Sequence, residues 1–367
     1  MYGTQHLKSV SDAAAVSEWL WSETEDILFR FGIPLILLIG TMGNIAFMFV
    51  VYSTKKMQTI TNAYLVNIAI ADLTFVVYTC TIYFITYTQT PVRNDVLFMR
   101  GIDCAVAFGM SYFGYFASLM LLTAVAAERY FAICHPIQYM MTATGRNKRT
   151  VKIIVACWLT GLLLVLMVMP RYARVKDMCI VWPAEDDRYD SFPRVIQFCE
   201  TINRGVFVLG EFTLTVPFIL IFPVHVYMYG SIIYALSNRP VTSETRTRNQ
   251  IARLLIINGT VFFLCQSPYR AVSIHLIIKH VTGEGLLGTV QYENAIVISR
   301  CLILLNSCAN PFIYMTASSF YRQAFLKAIP CRKTSQRKMI PRAVQQLSKP
   351  SADTISMSPI TLSAMHP

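Results

Sequence analysis

Seven apolar stretches divide this chain: Ile27–Tyr52, Ala63–Tyr87, Cys104–Cys134, Val151–Met169, Gly205–Leu236, Ile251–Ile278 and Tyr292–Thr316. Each is close to the roughly 20 helical residues that cross a bilayer core about 30 Å thick. Backbone groups in lipid must be satisfied within the segment, so these spans are predicted to be helices. Pro34, Pro217, Pro223, Pro268 and Pro311 fall inside them. Bundled membrane helices tolerate such breaks because neighbouring groups re-satisfy the freed carbonyls.

The rest of the composition agrees. Of 367 residues, 54% are hydrophobic and only 14% charged, against about 25% charged in a soluble domain. The net charge of +12 raises the question of nucleic acid, but the charges alternate from loop to loop. The first, third and fifth connections and the tail hold 16 Lys/Arg against 2 Asp/Glu; the other side holds 10 against 14. A Lys/Arg excess marks the cytoplasmic side. The expected arrangement is a multi-pass plasma-membrane protein with its N-terminus outside, its C-terminus inside and no nucleic-acid partner. A transporter of six or eight helices would break this alternation. The segment 1–26 is polar and acidic without an apolar h-region, so the first span is expected to direct its own insertion. Residues 332–367 are rich in Ser, Thr, Lys and Pro and are expected to be a disordered cytoplasmic tail. Ten cysteines include no CxxC pair, which argues against zinc and redox chemistry.

Charges inside a bilayer are costly and usually have a function or a partner. Here they fall into three layers. Midway lie Asp72 and, at similar depth, Ser118, Asn306, Ser307 and Asn310. One carboxylate with several neutral oxygens suits a sodium ion, or a protonated hydrogen-bond network. At the inner face lie Glu128-Arg129-Tyr130. Arg129 can pair with Glu128, be released to a partner entering from the cytoplasm as a two-state switch, or snorkel to lipid headgroups. In the outer half lie Tyr112, Glu211, Arg270 and Arg300. Two arginines facing one cavity repel unless a ligand or a carboxylate lies between them. Glu211 is the candidate carboxylate for the empty state; outward snorkelling is the alternative.

These residues carry a resemblance. Gly43-Asn44, Asn67-xxxx-Asp72, Cys104, Glu128-Arg129-Tyr130 and Trp158 occur in order. Phe262-xx-Cys265-xx-Pro268, Asn306-Ser307-xx-Asn310-Pro311-xx-Tyr314 and Phe320 follow, each at the appropriate end of its span. Over about residues 27–331 the chain resembles the rhodopsin-like (class A) G-protein-coupled receptors. It is most similar there to thyrotropin-releasing hormone receptors and related neuropeptide receptors, through Glu128–Ile137, Pro268-Tyr269-Arg270 and Arg300. The resemblance implies an all-α seven-transmembrane bundle with a short amphipathic eighth helix. It implies no enzyme activity, an extracellular amidated neuropeptide at Tyr112 and Arg300, and a heterotrimeric G protein of the Gq type with calcium release. The switch residues it implies are Glu128, Arg129, Tyr130, Tyr229, Asn310, Pro311 and Tyr314. It further implies a disulfide between Cys104 and Cys179, with Cys199 left without an evident partner, palmitate on Cys331, and arrestin and receptor kinase at the tail. No cofactor is required beyond the candidate sodium ion.

There are departures. Gln266 stands where the family carries a tryptophan, so an indole's toggle role is not carried over. Pro217 and Pro223 straddle the usual helix-five proline, and Arg248 replaces an acid, so no lock between Arg129 and helix six is expected. Other readings remain: an orphan or constitutively active receptor, or one for FMRFamide-like or neuromedin/pyrokinin-like peptides. A retinal receptor needs a helix-seven lysine, and Tyr292–Thr316 has none. Neither HExxH nor GxSxG is present for a hydrolase. The sequon at Asn258 lies within span six, so no N-glycan is expected.

Overall fold

The computed structural model describes residues 6–9, 16–93, 95–96, 100–142, 144–183, 187–238 and 243–328. Cys331 and the tail lie outside the described residues. Seven helices are long and apolar enough to cross a membrane: α1 (Glu23–Ser53), α2 (Ile60–Gln89), α3 (Gly101–Cys134), α4 (Arg146–Val168), α5 (Arg204–Ser237), α6 (Ser243–Thr282) and α7 (Thr289–Ala317). The short α8 (Ser319–Ala328) follows. Most helices overrun the sequence-predicted spans because polar caps extend them past the apolar stretch. Ser22 caps α1 in a box with Glu25. Thr59 accepts from Asn62 N at 3.3 Å and Asn203 from Val206 N at 2.9 Å. Gly283, at φ +88°, ends α6 by returning its N–H to Lys279 O at 3.0 Å, a conformation suited to a residue without a side chain. In α1 a π-helical turn, Leu28–Gly32, precedes Pro34, whose missing N–H leaves a carbonyl one turn back unbonded.

α3 is the axis of the bundle and the most buried of the seven. Its approach to α2 is set by Gly114, where a Cβ would fall 2.7 Å from Ala71 O. Without a hydrophobic force between helices in lipid, such small residues provide the packing. Polar pairs do the rest: Trp158 Nε1 donates to Asn67 Oδ1 at 2.9 Å, tying α4 to α2, and Asn44 Nδ2 donates to Ser307 O at 3.0 Å, tying α1 to α7. Gly43 admits Pro311 against α1, where a Cβ would stand 3.2 Å from the proline ring.

One end of the bundle carries a small sheet absent from the sequence reading. β2 (Arg174–Val181) and β3 (Val195–Glu200) form an antiparallel hairpin, and β1 (His6–Ser9) adds parallel to β2. The outer edge of β3 is covered too: Val96 N donates to Gln197 O at 2.7 Å, so neither hairpin edge is left as a bare template. The hairpin corrects the expected disulfide. Cys104 is bonded to Cys199, not Cys179, which is a free thiol. Pairing sets Cys199 opposite Val175 at the hairpin's root, beside the start of α3, and Cys179 opposite Val195. Four strand positions separate those sites, roughly 13 Å along the strand.

Candidate functional site

Beneath the sheet the helices part around a cavity of about 830 Å³, lined by Tyr112 and Tyr115 of α3, Gln266, Tyr269 and Arg270 of α6, and Arg300 of α7. Arg171 and Tyr172, just past α4, and Trp19 and Trp21 of the N-terminal segment complete it. Its size falls among small-molecule sites, which span about 300–1,000 Å³. Three phenols join across it: Tyr112 OH lies 2.9 Å from Tyr172 OH and 3.3 Å from Tyr269 OH.

The four outer-layer residues separate into different roles in the wall. Glu211, 1% exposed, does not stand between Arg270 and Arg300. It forms an ion pair with Arg171, a residue the sequence reading counted as a loop charge. After α4 ends at Val168, Met169–Tyr172 form a 3-10 turn containing Pro170 that brings Arg171 over α5. Gly210 leaves room for its stem, since a Cβ there would meet Arg171 Cδ at 3.4 Å. The guanidinium covers the Phe207 ring at 4.4 Å. Arg270 is held by α5 and its own helix: Nη1 donates to Leu214 O at 2.6 Å and Nη2 to Gln266 Oε1 at 3.4 Å, with the guanidinium over Tyr115 at 4.6 Å. Gln266 thus anchors an arginine. Arg300 lies over the Tyr83 ring at 5.7 Å. Among the described residues, no carboxylate is within ion-pair range of Arg270 or Arg300.

The middle layer assembles around Asp72, which is buried. Ser118 Oγ donates to Asp72 Oδ1 at 3.0 Å and Asn310 Nδ2 to the other oxygen. The Ser307 side chain is a further hydrogen-bond partner of Asp72, and its carbonyl accepts from Asn44; Asn306 is buried on α7. Among the described residues Asp72 has no ion-pair partner, and the Asn44 Oδ1 is buried without a donor. A carboxylate with hydroxyl and amide oxygens nearby fits a hard monovalent cation. No cluster of three His, Cys, Asp or Glu fits a transition metal among the described residues.

At the far end Arg129 Nη2 lies 3.5 Å from Glu128 Oε1. That same oxygen accepts from Tyr139 OH, on the six-residue helical segment Pro136–Met141. Burial, and then the bond to Glu128, hold the Tyr139 hydroxyl above the usual phenol range, so it stays a donor. Arg146 caps the Tyr139 ring at 4.0 Å. Tyr130 OH is 3.4 Å from Tyr227 OH and 3.2 Å from His135 Nε2. Tyr229, packed against Gly259 of α6, and Tyr314, between Phe47 and Tyr321 at 4.7 and 5.7 Å, both have buried hydroxyls without a hydrogen bond. Among the described side chains Arg129 pairs with none on α6.

Comparison with known proteins gives the context for this geometry. The profile "7 transmembrane receptor (rhodopsin family)" matches residues 43–314. The chain is 22% identical to G-protein coupled receptor 183 of Bos taurus over 318 residues, covering 83% of this chain and 82% of that one. It is 27% identical to somatostatin receptor type 4 of Rattus norvegicus over 306 residues, covering 81% and 71%.

Proposed function

The chain belongs to the rhodopsin family of seven-transmembrane receptors, and on that premise we propose that it is a plasma-membrane receptor for a short amidated neuropeptide, acting through a Gq-type G protein and calcium release. Membership makes it a receptor and not an enzyme, with an extracellular ligand and a G-protein partner. In this reading the sheet end is extracellular. The observation that carries it is the cavity itself: Arg300 faces it with no carboxylate partner among the described residues, beside the phenols of Tyr112 and Tyr269. A guanidinium presents a planar fork of donors suited to peptide carbonyls and a terminal amide. The likeness to a somatostatin receptor supports a peptide ligand.

A ligand shifts the receptor only through unequal affinity for its two states. Peptide carbonyls that engage Arg270 compete with Leu214 O and Gln266 for the same donors, so binding loosens α6 from α5. The far end of α6 then moves out, and Arg129, Tyr229 and Tyr314 line the opened cleft for the G protein. Glu128 and Tyr130 hold the resting arrangement, with Asn310 and Pro311 as the α7 pivot. Sodium at Asp72, Ser118, Asn306, Ser307 and Asn310 favours the resting state. Arrestin, receptor kinase and palmitate at Cys331 act on residues outside those described.

Four outcomes test this. In cells exposed to amidated neuropeptides, calcium release is expected for a tripeptide, pyrokinin-like or FMRFamide-like ligand; silence across all three classes removes the peptide reading. For an active peptide, Arg300→Ala is expected to raise the half-maximal concentration roughly ten- to hundredfold, since a hydrogen bond to a charged group contributes about 1.5–3 kcal/mol. Arg129→Ala is expected to abolish nucleotide exchange at unchanged surface expression. Tyr139→Phe removes a donor from Glu128 and is expected to raise basal exchange; unaltered basal activity takes Tyr139 out of the switch.

A further inference from the structure

The cavity is electrically polar along its depth. At its rim Arg93 sits between Glu25 at 2.7 Å and Glu293 at 3.0 Å, and Glu18 lines the same rim. Glu25 is buried and does not line the cavity, so among the described residues Glu18 and Glu293 against Arg93 leave one negative charge at the rim. Near the floor Arg171 and Glu211 cancel each other, while Arg270 and Arg300 keep two positive charges unmatched by a carboxylate among the described residues. Lys279, at the end of α6, does not line the cavity. Between low-dielectric walls such a separation is felt by a ligand far more than it would be in open water.

The rim is also built rather than trailing. Arg93 N donates to Trp19 O at 2.7 Å, Trp21 Nε1 to Thr90 O at 3.2 Å, and Leu20 pairs with Val92. Val16 is buried with Val92, Ile180 and Ile196. The backbone therefore holds Glu18, Trp19 and Trp21 against the cavity. One carboxylate with two indoles suits an ammonium group, which is drawn to the faces of aromatic rings.

We infer that the ligand matches this polarity: a short peptide entering carboxyl end first, its terminal carbonyl group at Arg270 and Arg300, and an amino terminus or basic side chain at Glu18 between the indoles. The inference rests on the peptide reading above and adds the ligand's direction and its charge at the rim.

The charge pattern is testable without a ligand. In the full chain carrying Cys179→Ser, a thiol is introduced at the rim (Met178→Cys) or deeper (Ser111→Cys), both positions lining the cavity. The probes are a trimethylammonium and a sulfonate methanethiosulfonate, with the parent chain as background. The cationic probe is expected to react about threefold faster than the anionic one at the rim, and the reverse at the deeper site. Glu18→Gln should reduce the first preference and Arg300→Gln the second. The same preference at both depths, or a rim preference untouched by Glu18→Gln, overturns the inference. Peptides made with free and acetylated amino termini then test the ligand. For an active peptide, acetylation is expected to raise the half-maximal concentration about tenfold in the parent and far less in Glu18→Gln; equal potency of the two forms overturns the proposed direction. A cavity showing both probe preferences but silent to every peptide overturns the peptide reading and keeps the polarity.

Discussion

Cys199→Ser is expected to lower surface expression sharply and to reduce the thermal midpoint of the solubilised receptor by several degrees, whereas Cys179→Ser should change neither. The bridge from Cys104 to Cys199 closes a loop of 95 residues. Chain-entropy accounting gives about 4.7 kcal/mol for a loop near that length, against a typical range of about 2–4 kcal/mol for disulfides. The loop here contains α4, whose ends the bilayer already confines, so the expected loss lies in the lower range. The bridge does more than close a loop. It fixes the root of the hairpin to the start of α3, and the hairpin carries Ile196 and Phe198 of the cavity wall and the buried Ile180 beneath which Val16 packs. Its loss therefore also loosens the rim. Cys179 has no comparable tie: its thiol is free, and its strand position is held by backbone pairing that serine preserves. The opposite pattern, with Cys179→Ser the damaging change, would falsify the pairing. Flow cytometry of tagged receptor and a thiol-dye melting curve read both effects.

The same hairpin explains where the sequence was legible and where it was not. The seven spans follow from hydropathy because lipid imposes one length and one backbone solution on every crossing segment. The grouping of Asp72 with Ser118 and Asn310, and of Glu128 with Arg129, was legible because each group shares a depth, and depth along a helix is counted in residues. Lateral pairing is another matter. Which of the two cysteines on the sheet side meets Cys104 depends on strand register, and the β-branched and apolar residues of Val175–Val181 and Val195–Cys199 were the available strand signal. Arg171 was missed because it sits one residue beyond Pro170, where an apolar span ends and charges are usually solvated. The direction of the chain after a proline decides whether such a residue leaves the bundle or folds back into it. Arg93 was missed for a similar reason: its two acidic partners lie on α1 and α7, far away in sequence.

The ion pair of Arg171 with Glu211 gives the second large expectation. Removing one partner of a buried pair leaves an uncompensated charge and typically costs about 3–5 kcal/mol, while replacing both by apolar residues of similar size is often neutral or stabilising. Arg171→Met and Glu211→Leu are each expected to lower the melting midpoint of the solubilised receptor markedly, and the double variant to recover most of the loss. The two singles should not be equal. After Glu211→Leu the remaining guanidinium still lines the cavity, 12% of its side chain exposed, and stays over the Phe207 ring, so water and an aromatic face partly solvate it. After Arg171→Met the remaining carboxylate is 1% exposed, and its oxygens have no hydrogen-bond donor among the described residues. Arg171→Met is therefore the more damaging change. Additive losses in the double variant would mean that each side chain acts through separate contacts, and the non-additivity of the cycle is the quantity that measures the pair. The same cycle bears on ligand recognition: with both charges gone, the floor keeps Arg270 and Arg300 as its only cations among the described residues. A recovered fold with unchanged ligand potency then assigns the Arg171 and Glu211 pair to architecture, and leaves recognition of the carboxyl end to the two unmatched arginines.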